Sequence, residues 1–201
     1  MVDVFVSPLL EANSYILPME NLLFVIDAVK GISKFIREHY PEKELVLLLT
    51  HAHVDHMYGL AQLNPSKIYI HESDKTLLTN PSLSLGRLYG FDGLDINNLP
   101  LAKSEEFSDE WTFFHTPGHS PGSSCFLFKN KYMFTGDTIF PGSIGRTDLL
   151  GGDRVEMEKS LIFLKKILVK NQNLQIFPGH GQKTSAKKVL EINPFIKNVR
   201  T

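Results

Sequence analysis

The sequence predicts an α/β protein. Short apolar runs bounded by turn residues alternate with segments of helical periodicity, and Leu45 to Leu49 is apolar without a break, the pattern of a strand covered on both faces. Strands alternating with helices imply layers of helix packed on sheet. A chain of 201 residues is long enough for one well-buried core, so a single domain over 1–201 is expected.

Near the N-terminus, Val2 to Val6, Ser14 to Leu17 and Leu22 to Ala28 are short and partly β-branched or aromatic, and Pro8 and Pro18-Met19-Glu20-Asn21 separate them. They read as strands in a meander. Gly31 to Tyr40 places Ile32, Phe35 and Ile36 at helical spacing, and Pro41 ends it. After Leu45 to Leu49, the pattern continues with a short helix over Met57 to Leu63, a strand over Ile68 to Ile70 and a helix over Glu72 to Leu78. Asn80 to Lys103 has no clear period and contains several Gly, Asn and Pro residues; so long a loop is either an active-site rim or a surface excursion.

Trp111 to His115, Ser124 to Phe128 and Tyr132 to Thr135 form a second set of strands, with Lys129-Asn130-Lys131 as a hairpin turn. The clearest helix begins at Asp153. Asp153 and Glu156 fit an N-cap and capping box, and Met157, Leu161, Leu164 and Leu168 form one apolar stripe. Leu174 to Phe177 is the last strand and Ala186 to Ile192 a closing helix.

Hydrophobic residues make up 42% and charged residues 21%, as in ordinary globular chains. With 21 basic against 22 acidic residues, a formal charge of -1 gives no footprint for nucleic acid or an anionic membrane. The longest apolar runs fall far short of the ~20 residues that span a bilayer. One cysteine, Cys125, cannot form an internal disulfide, and the start lacks the plan of a secretory signal. The expected compartment is therefore the cytoplasm.

The chemistry concentrates in Thr50-His51-Ala52-His53-Val54-Asp55-His56. In extended backbone, residues two apart project to one side, so His51 and His53 can chelate one ion; on a helix they would diverge by roughly 200°. Asp55 and His56 follow at the turn into the next helix. Such a cluster at the carboxyl end of a strand is where open α/β sheets place ligands. Four metal-competent groups in six residues are costly to bury without a partner.

Three further segments end an apolar strand with a glycine and then a ligand type: Gly118-His119, Gly136-Asp137 and Gly179-His180. Glycine lets the backbone turn sharply and come close to an ion. Imidazole and carboxylate without thiolate suit Zn(II), with Fe(II) or Mn(II) as other choices, and seven groups are too many for one tetrahedral ion. Two divalent ions roughly 3.5–4 Å apart, bridged by a carboxylate, would use them all and leave room for a bridging water, whose pKa a metal lowers from 15.7 to about 7. His39, His71 and His115 read as structural, His115 with a possible supporting place behind the ligands, and Cys125 as a small apolar residue within a strand.

His51-Ala52-His53-Val54-Asp55-His56, Gly118-His119-Ser120-Pro121-Gly122, Gly136-Asp137-Thr138 and Pro178-Gly179-His180-Gly181 resemble, in order, the signature motifs of the metallo-β-lactamase superfamily. The resemblance covers nearly the whole chain, from Asn13-Ser14-Tyr15 and Ile26-Asp27 to the closing helix. It implies a four-layer αβ/βα sandwich with His51, His53 and His119 on one metal, Asp55, His56 and His180 on the other, and Asp137 bridging. Asp55 would also orient the nucleophilic water or relay its proton.

The segment from Gly136 to Leu149 is similar to the glyoxalase II branch, which implies hydrolysis of S-(2-hydroxyacyl)glutathione or a related small thiolester by a metal-bridging hydroxide. Two features depart from that branch. Only about twenty residues follow His180, where full-length glyoxalases carry a helical segment that helps grip glutathione, and Arg146-Thr147-Asp148 stands where they tend to have Lys-x-Tyr. Arg146 either binds a substrate carboxylate with its planar fork or pairs with Asp148 to fix the loop.

The second reading is a mono-iron persulfide dioxygenase, which shares the sandwich and a similar Gly145-Arg146-Thr147-Asp148 segment; its last histidine motif continues differently from His180-Gly181-Gln182-Lys183. A secreted lactamase, a nuclease and a non-catalytic metal domain rank lower, for want of a secretion signal, of basic charge and added domain, and of cysteine ligands.

Overall fold

The computed structural model describes residues 1–200, which divide into two compact units, the first Met1–Glu106 and the second starting at Phe107. Each unit is one mixed sheet with its own helices. No helix among the described residues is long and apolar enough to cross a membrane.

In the first unit the strands are β1 (Asp3–Val6), β2 (Asn13–Pro18), β3 (Leu22–Ile26), β4 (Glu44–Leu48), β5 (Lys67–Tyr69) and β6 (Leu101–Ala102), side by side in that order. β1 to β3 pair antiparallel, the expected meander; β3 to β6 then run parallel. A parallel strand needs a crossover, and α1 (Ile32–His39) supplies the one between β3 and β4. Every residue of β4 after Glu44 is buried, as its unbroken apolar run predicts.

The helix expected over Met57 to Leu63 begins earlier: α2 spans Val54–Met57, and a separate 3₁₀ turn follows at Leu60–Gln62. His53 is the extended residue before α2, so Asp55 and His56 lie inside its single turn. Glu72 to Leu78 likewise resolves into a 3₁₀ turn, Glu72–Asp74, and α3 (Lys75–Thr79). The stretch from Asn80 to Lys103 is no loose loop. Phe91 is buried in the core of the first unit, Leu83, Leu85, Leu94, Ile96, Leu99 and Leu101 pack against that core, and β6 pairs with β5. Its apolar residues follow no helical or strand period because irregular backbone presents them one by one.

The second unit orders its strands β11-β10-β9-β8-β7, with β7 (Trp111–His115), β8 (Ser124–Phe128), β9 (Tyr132–Gly136), β10 (Gln175–Pro178) and β11 (Thr184–Ser185). The one parallel pairing, β9 with β10, is bridged by α4 (Arg154–Lys170). Along β8 the side chains alternate: Cys125 and Leu127 join the helix-facing core, while Phe126 packs on Phe113 and Phe128 belongs to an aromatic set with Trp111, Phe134 and Phe177. The α4 stripe Met157, Leu161, Leu164 and Leu168 is fully buried in that core, with Val189 of α5 (Ala186–Ile192) and Ile196 of α6 (Pro194–Asn198).

α6 and β11 are absent from the sequence reading. α6 is a five-residue helix announced only by Asn193, whose side chain accepts from the Phe195 and Ile196 N–H groups, and by Pro194 at the first helical position.

Asp153 caps α4, accepting from the Val155 and Glu156 N–H groups at 2.7 and 3.0 Å. The reciprocal half of the capping box is not made. The Glu156 carboxylate takes Lys159 instead, and the Asp153 N–H donates to the Gly118 carbonyl at 2.8 Å. The expected result of Asp153→Ala is a loss of about 1 kcal/mol, read as a Tm lower by roughly 2–4 °C in a thermal melt.

Candidate metal centre

The first unit contributes four predicted residues from one strand end. β4 carries the chain to Thr50, and the next six positions hold His51, His53, Asp55 and His56, all buried. The His51 ring lies 4.9 Å from that of His53, at right angles, and 4.2 Å from that of His56. Asp55 Oδ2 is 3.8 Å from His56 Nε2. The side-by-side placing of His51 and His53 follows from the extended backbone through His53, and α2 then turns Asp55 and His56 back beside them.

Asp27, at the end of β3, fixes this cluster from behind. Its carboxylate accepts from Thr50 N–H at 2.7 Å, from Thr50 Oγ1 at 2.8 Å and from His56 Nδ1 at 2.8 Å. A proton on Nδ1 leaves Nε2 of His56 as the ligand atom, the usual way a carboxylate orients a metal-binding imidazole. Asp27 is buried and has a φ of 64°, a left-handed conformation that Asp tolerates better than most residues and that persists where surroundings enforce it. Burial drives its carboxyl upward from the ordinary range, and His56 and Thr50 oppose that shift.

The second unit brings its three predicted residues together. His119 follows β7 through Thr116-Pro117-Gly118, and Gly118 has a φ of 137° with the α4 backbone at Met157 only 2.4 Å from where a Cβ would sit. No other residue fits there. Asp137 follows Gly136, whose φ is 46°, at the end of β9. His180 follows Pro178-Gly179 after a slip of register between β9 and β10 at Phe177/Pro178, and Gly179 N–H is tied to the Gly136 carbonyl at 2.8 Å. Asp137 Oδ2 lies 3.5 Å from His119 Nε2 and 3.6 Å from His180 Nε2, so one carboxylate oxygen faces both imidazoles.

His119 is held as His56 is. Its Nδ1 is 2.8 Å from the Arg146 carbonyl, which presents Nε2 towards Asp137. Gly145, next to Arg146, is packed so closely that a Cβ would sit 2.0 Å from the Asp137 carbonyl and 2.9 Å from His119 Nδ1. Arg146 itself makes the two-point ion pair with Asp148, 2.9 Å at each contact, with both side chains about 70% exposed. That pair holds the Asp148 carboxyl down at about 2.

The remaining histidines are accounted for locally. His39 stacks on Phe35 and bonds its carbonyl; His71 accepts from Ser73 N–H; His115 bonds the Pro121 carbonyl and so ties the loop that carries His119. Cys125 is buried in β8, and burial raises its thiol to about 11. Asp27 and Gly145 carry no distinguishing signal beyond their place at a strand end and in a glycine-rich loop, so their support of His56 and His119 emerges only in three dimensions.

The Metallo-beta-lactamase superfamily model matches residues 41–180, well over half of the chain. The chain belongs to the metallo-β-lactamase superfamily. Among superfamily relatives it is similar to "Probable metallo-hydrolase YqgX" of Bacillus subtilis (strain 168), 31% identical over 93% of both chains. It is also similar to "Hydroxyacylglutathione hydrolase GloC" of Haemophilus influenzae, 34% identical over 76% of both. Among solved structures it resembles the BLEG-1 B3 metallo-beta-lactamase with a TM-score of 0.84 at 28% identity, covering 98% of this chain and 100% of that one. TTHA1623 in a di-iron-bound form matches with a TM-score of 0.80 at 28% identity, covering 96% and 100%. The α/β sandwich class expected from the sequence is the metallo-β-lactamase fold observed. The chain is accordingly a metallo-hydrolase of this superfamily, with His and Asp groups suited to divalent metal.

Proposed function

We propose that the two units act as one metallo-β-lactamase-like domain and that the chain is a thiolester hydrolase of glyoxalase II type, taking S-(2-hydroxyacyl)glutathione or a related small thiolester. One ion would be held by His51, His53 and His119, the other by Asp55, His56 and His180, with Asp137 shared between them. The observation that carries the metal assignment is the fixing of Nδ1 in both His56, by Asp27, and His119, by the Arg146 carbonyl, which leaves Nε2 of each as the ligand atom. The donor set fits the ions: imidazole and carboxylate suit Zn(II), Fe(II) or Mn(II), while Cys125 is bonded to Thr116 away from any such role. Zn(II) is the proposed native ion, and the di-iron relative keeps Fe(II) as the comparison to measure.

When bound, the ions supply hydroxide at neutral pH and polarise the acyl carbonyl. The protein does the rest. Asp55, its carboxylate beside His56, orients the attacking water and takes up its proton. Asp27 keeps His56 in one tautomer throughout. Arg146, exposed and planar, takes a substrate carboxylate in exchange for Asp148. The thiolester assignment is supported by the 34% identity to a hydroxyacylglutathione hydrolase and by the similarity of the Gly136 to Leu149 segment to that branch.

Protein of measured metal content, assayed against S-lactoylglutathione, other thiolesters, a chromogenic β-lactam and glutathione persulfide, tests this assignment. The expected result is two metal ions per chain and thiolester hydrolysis well above β-lactam hydrolysis. One iron per chain with oxygen uptake on the persulfide would replace it with the dioxygenase reading; β-lactam hydrolysis as the dominant activity would replace it with that of BLEG-1.

A further inference from the structure

Asp74 stands at the mouth of α3 but does not cap it. It is the residue before α3, where Asp ordinarily accepts from the free N–H groups of the first turn. Its side chain makes no such bond. Instead the residue is completely buried, at 0% exposure, and Asp74 Oδ2 accepts from the Ala52 N–H at 3.0 Å. Taking a carboxyl group out of water is costly, so it persists only where its contacts return something.

The bond falls at the centre of His51-Ala52-His53. On the far side of His53, the Val54 N–H donates to the Ser84 carbonyl at 2.9 Å, and Ser84 is also fully buried. The peptide N–H groups of Ala52 and Val54, on either side of the Ala52–His53 peptide, are therefore both anchored, one to Asp74 and one to the start of the 80–103 stretch. With both anchored, the backbone through Ala52 and His53 is restrained, and with it the spacing from which the His51 and His53 rings project.

We propose that Asp74 is a positioning residue for the metal centre, which pre-sets the His51/His53 pair through the Ala52 peptide, with the Ser84 carbonyl as its counterpart. The proposal rests on the metal reading above, and it assigns the 80–103 stretch a supporting role in addition to packing. Preorganisation of this kind raises affinity because the ligand pair loses no further freedom on binding.

Co(II) titration of the metal-free full chain, followed by visible absorption, tests it, because Co(II) reports ligand geometry without any substrate. Asp74→Leu removes the acceptor at similar volume, while Asp74→Asn keeps a carbonyl oxygen for the Ala52 N–H. The expected result is a roughly 10–100-fold loss of Co(II) affinity with an altered band for Asp74→Leu, and affinity and spectrum close to wild type for Asp74→Asn. If Asp74→Leu does not fold, Asp74→Ser, whose hydroxyl is too short to reach Ala52, is read in the same way. An acceptor-free variant that binds Co(II) like wild type, or an Asn variant as impaired as it, overturns the proposal. Failure of the wild type to bind Co(II) at all would instead refute the metal reading on which it rests.

Discussion

Asp137→Ala is expected to remove most bound metal and to lower thiolester hydrolysis at least about 10³-fold, equivalent to some 4 kcal/mol of transition-state stabilisation. The reason lies in one oxygen. Asp137 Oδ2 faces the Nε2 atoms of both His119 and His180, at 3.5 and 3.6 Å, so its deletion leaves two imidazoles without the carboxylate that offsets the charge of an ion. The turn that carries Asp137 does not depend on that side chain. Gly136 makes the bend, Thr138 N–H donates to the Thr135 carbonyl, and Gly179 N–H donates to the Gly136 carbonyl. The metal-free variant should therefore keep its far-UV spectrum and melt within about 4 °C of the metal-free wild type, a difference of order 1–2 kcal/mol for a chain of this size. Metal analysis and steady-state kinetics on the same preparation decide the matter; retained activity at full metal content would reject the assignment of Asp137.

Gly145→Ala should lower both the stability of the chain and its affinity for metal. A Cβ there would lie 2.0 Å from the Asp137 carbonyl and 2.9 and 3.0 Å from His119 Nδ1 and Cγ, far inside the ~3.5–4.0 Å of ordinary contact. The carbonyl belongs to the backbone at the end of β9 and cannot swing away as a flexible side chain could. Overpacking costs typically 1–3 kcal/mol, so a fall in Tm of roughly 2–12 °C is expected. The strain has a second effect, because relief requires moving His119 or the Arg146 carbonyl that holds its Nδ1. Metal affinity should fall along with stability. Gly142→Ala is the matched control: it stands in the same loop, a Cβ there meets nothing within 4 Å, and it should change neither quantity. Equal behaviour of the two variants would show that the close packing at Gly145 relaxes without consequence.

These two variants separate what each part of the centre contributes. Asp137 acts by its charge and leaves the turn intact when removed, whereas Gly145 acts only by the space it leaves to others. Asp74 stands between them, since its side chain meets a peptide N–H beside the His51/His53 pair.

The ligand types were legible because their chemistry is local. His51, His53, Asp55 and His56 fall within six residues after a strand, and His119, Asp137 and His180 each follow a glycine at a strand end. The apolar runs of β4 and the α4 stripe were equally legible, since periodicity records which face is covered. Illegible were the short elements α6 and β11, the true start of α2 at Val54, and the packing of the 80–103 stretch, whose buried residues follow no repeat.

The sequence by itself determined the α/β class, the seven candidate donor side chains and the absence of a thiolate among them, because these depend on residue type and on spacing along one strand or turn. Only the tertiary structure decided which groups hold the donors in place. Asp27 is 29 residues from His56, Arg146 is 27 from His119, and Asp74 is 22 from Ala52. A hydrogen bond across such a distance exists only once the strands have paired, and no local pattern encodes it. The tertiary structure also shows the Arg146 fork paired with Asp148, with its side chain exposed at the loop that carries the His119 support.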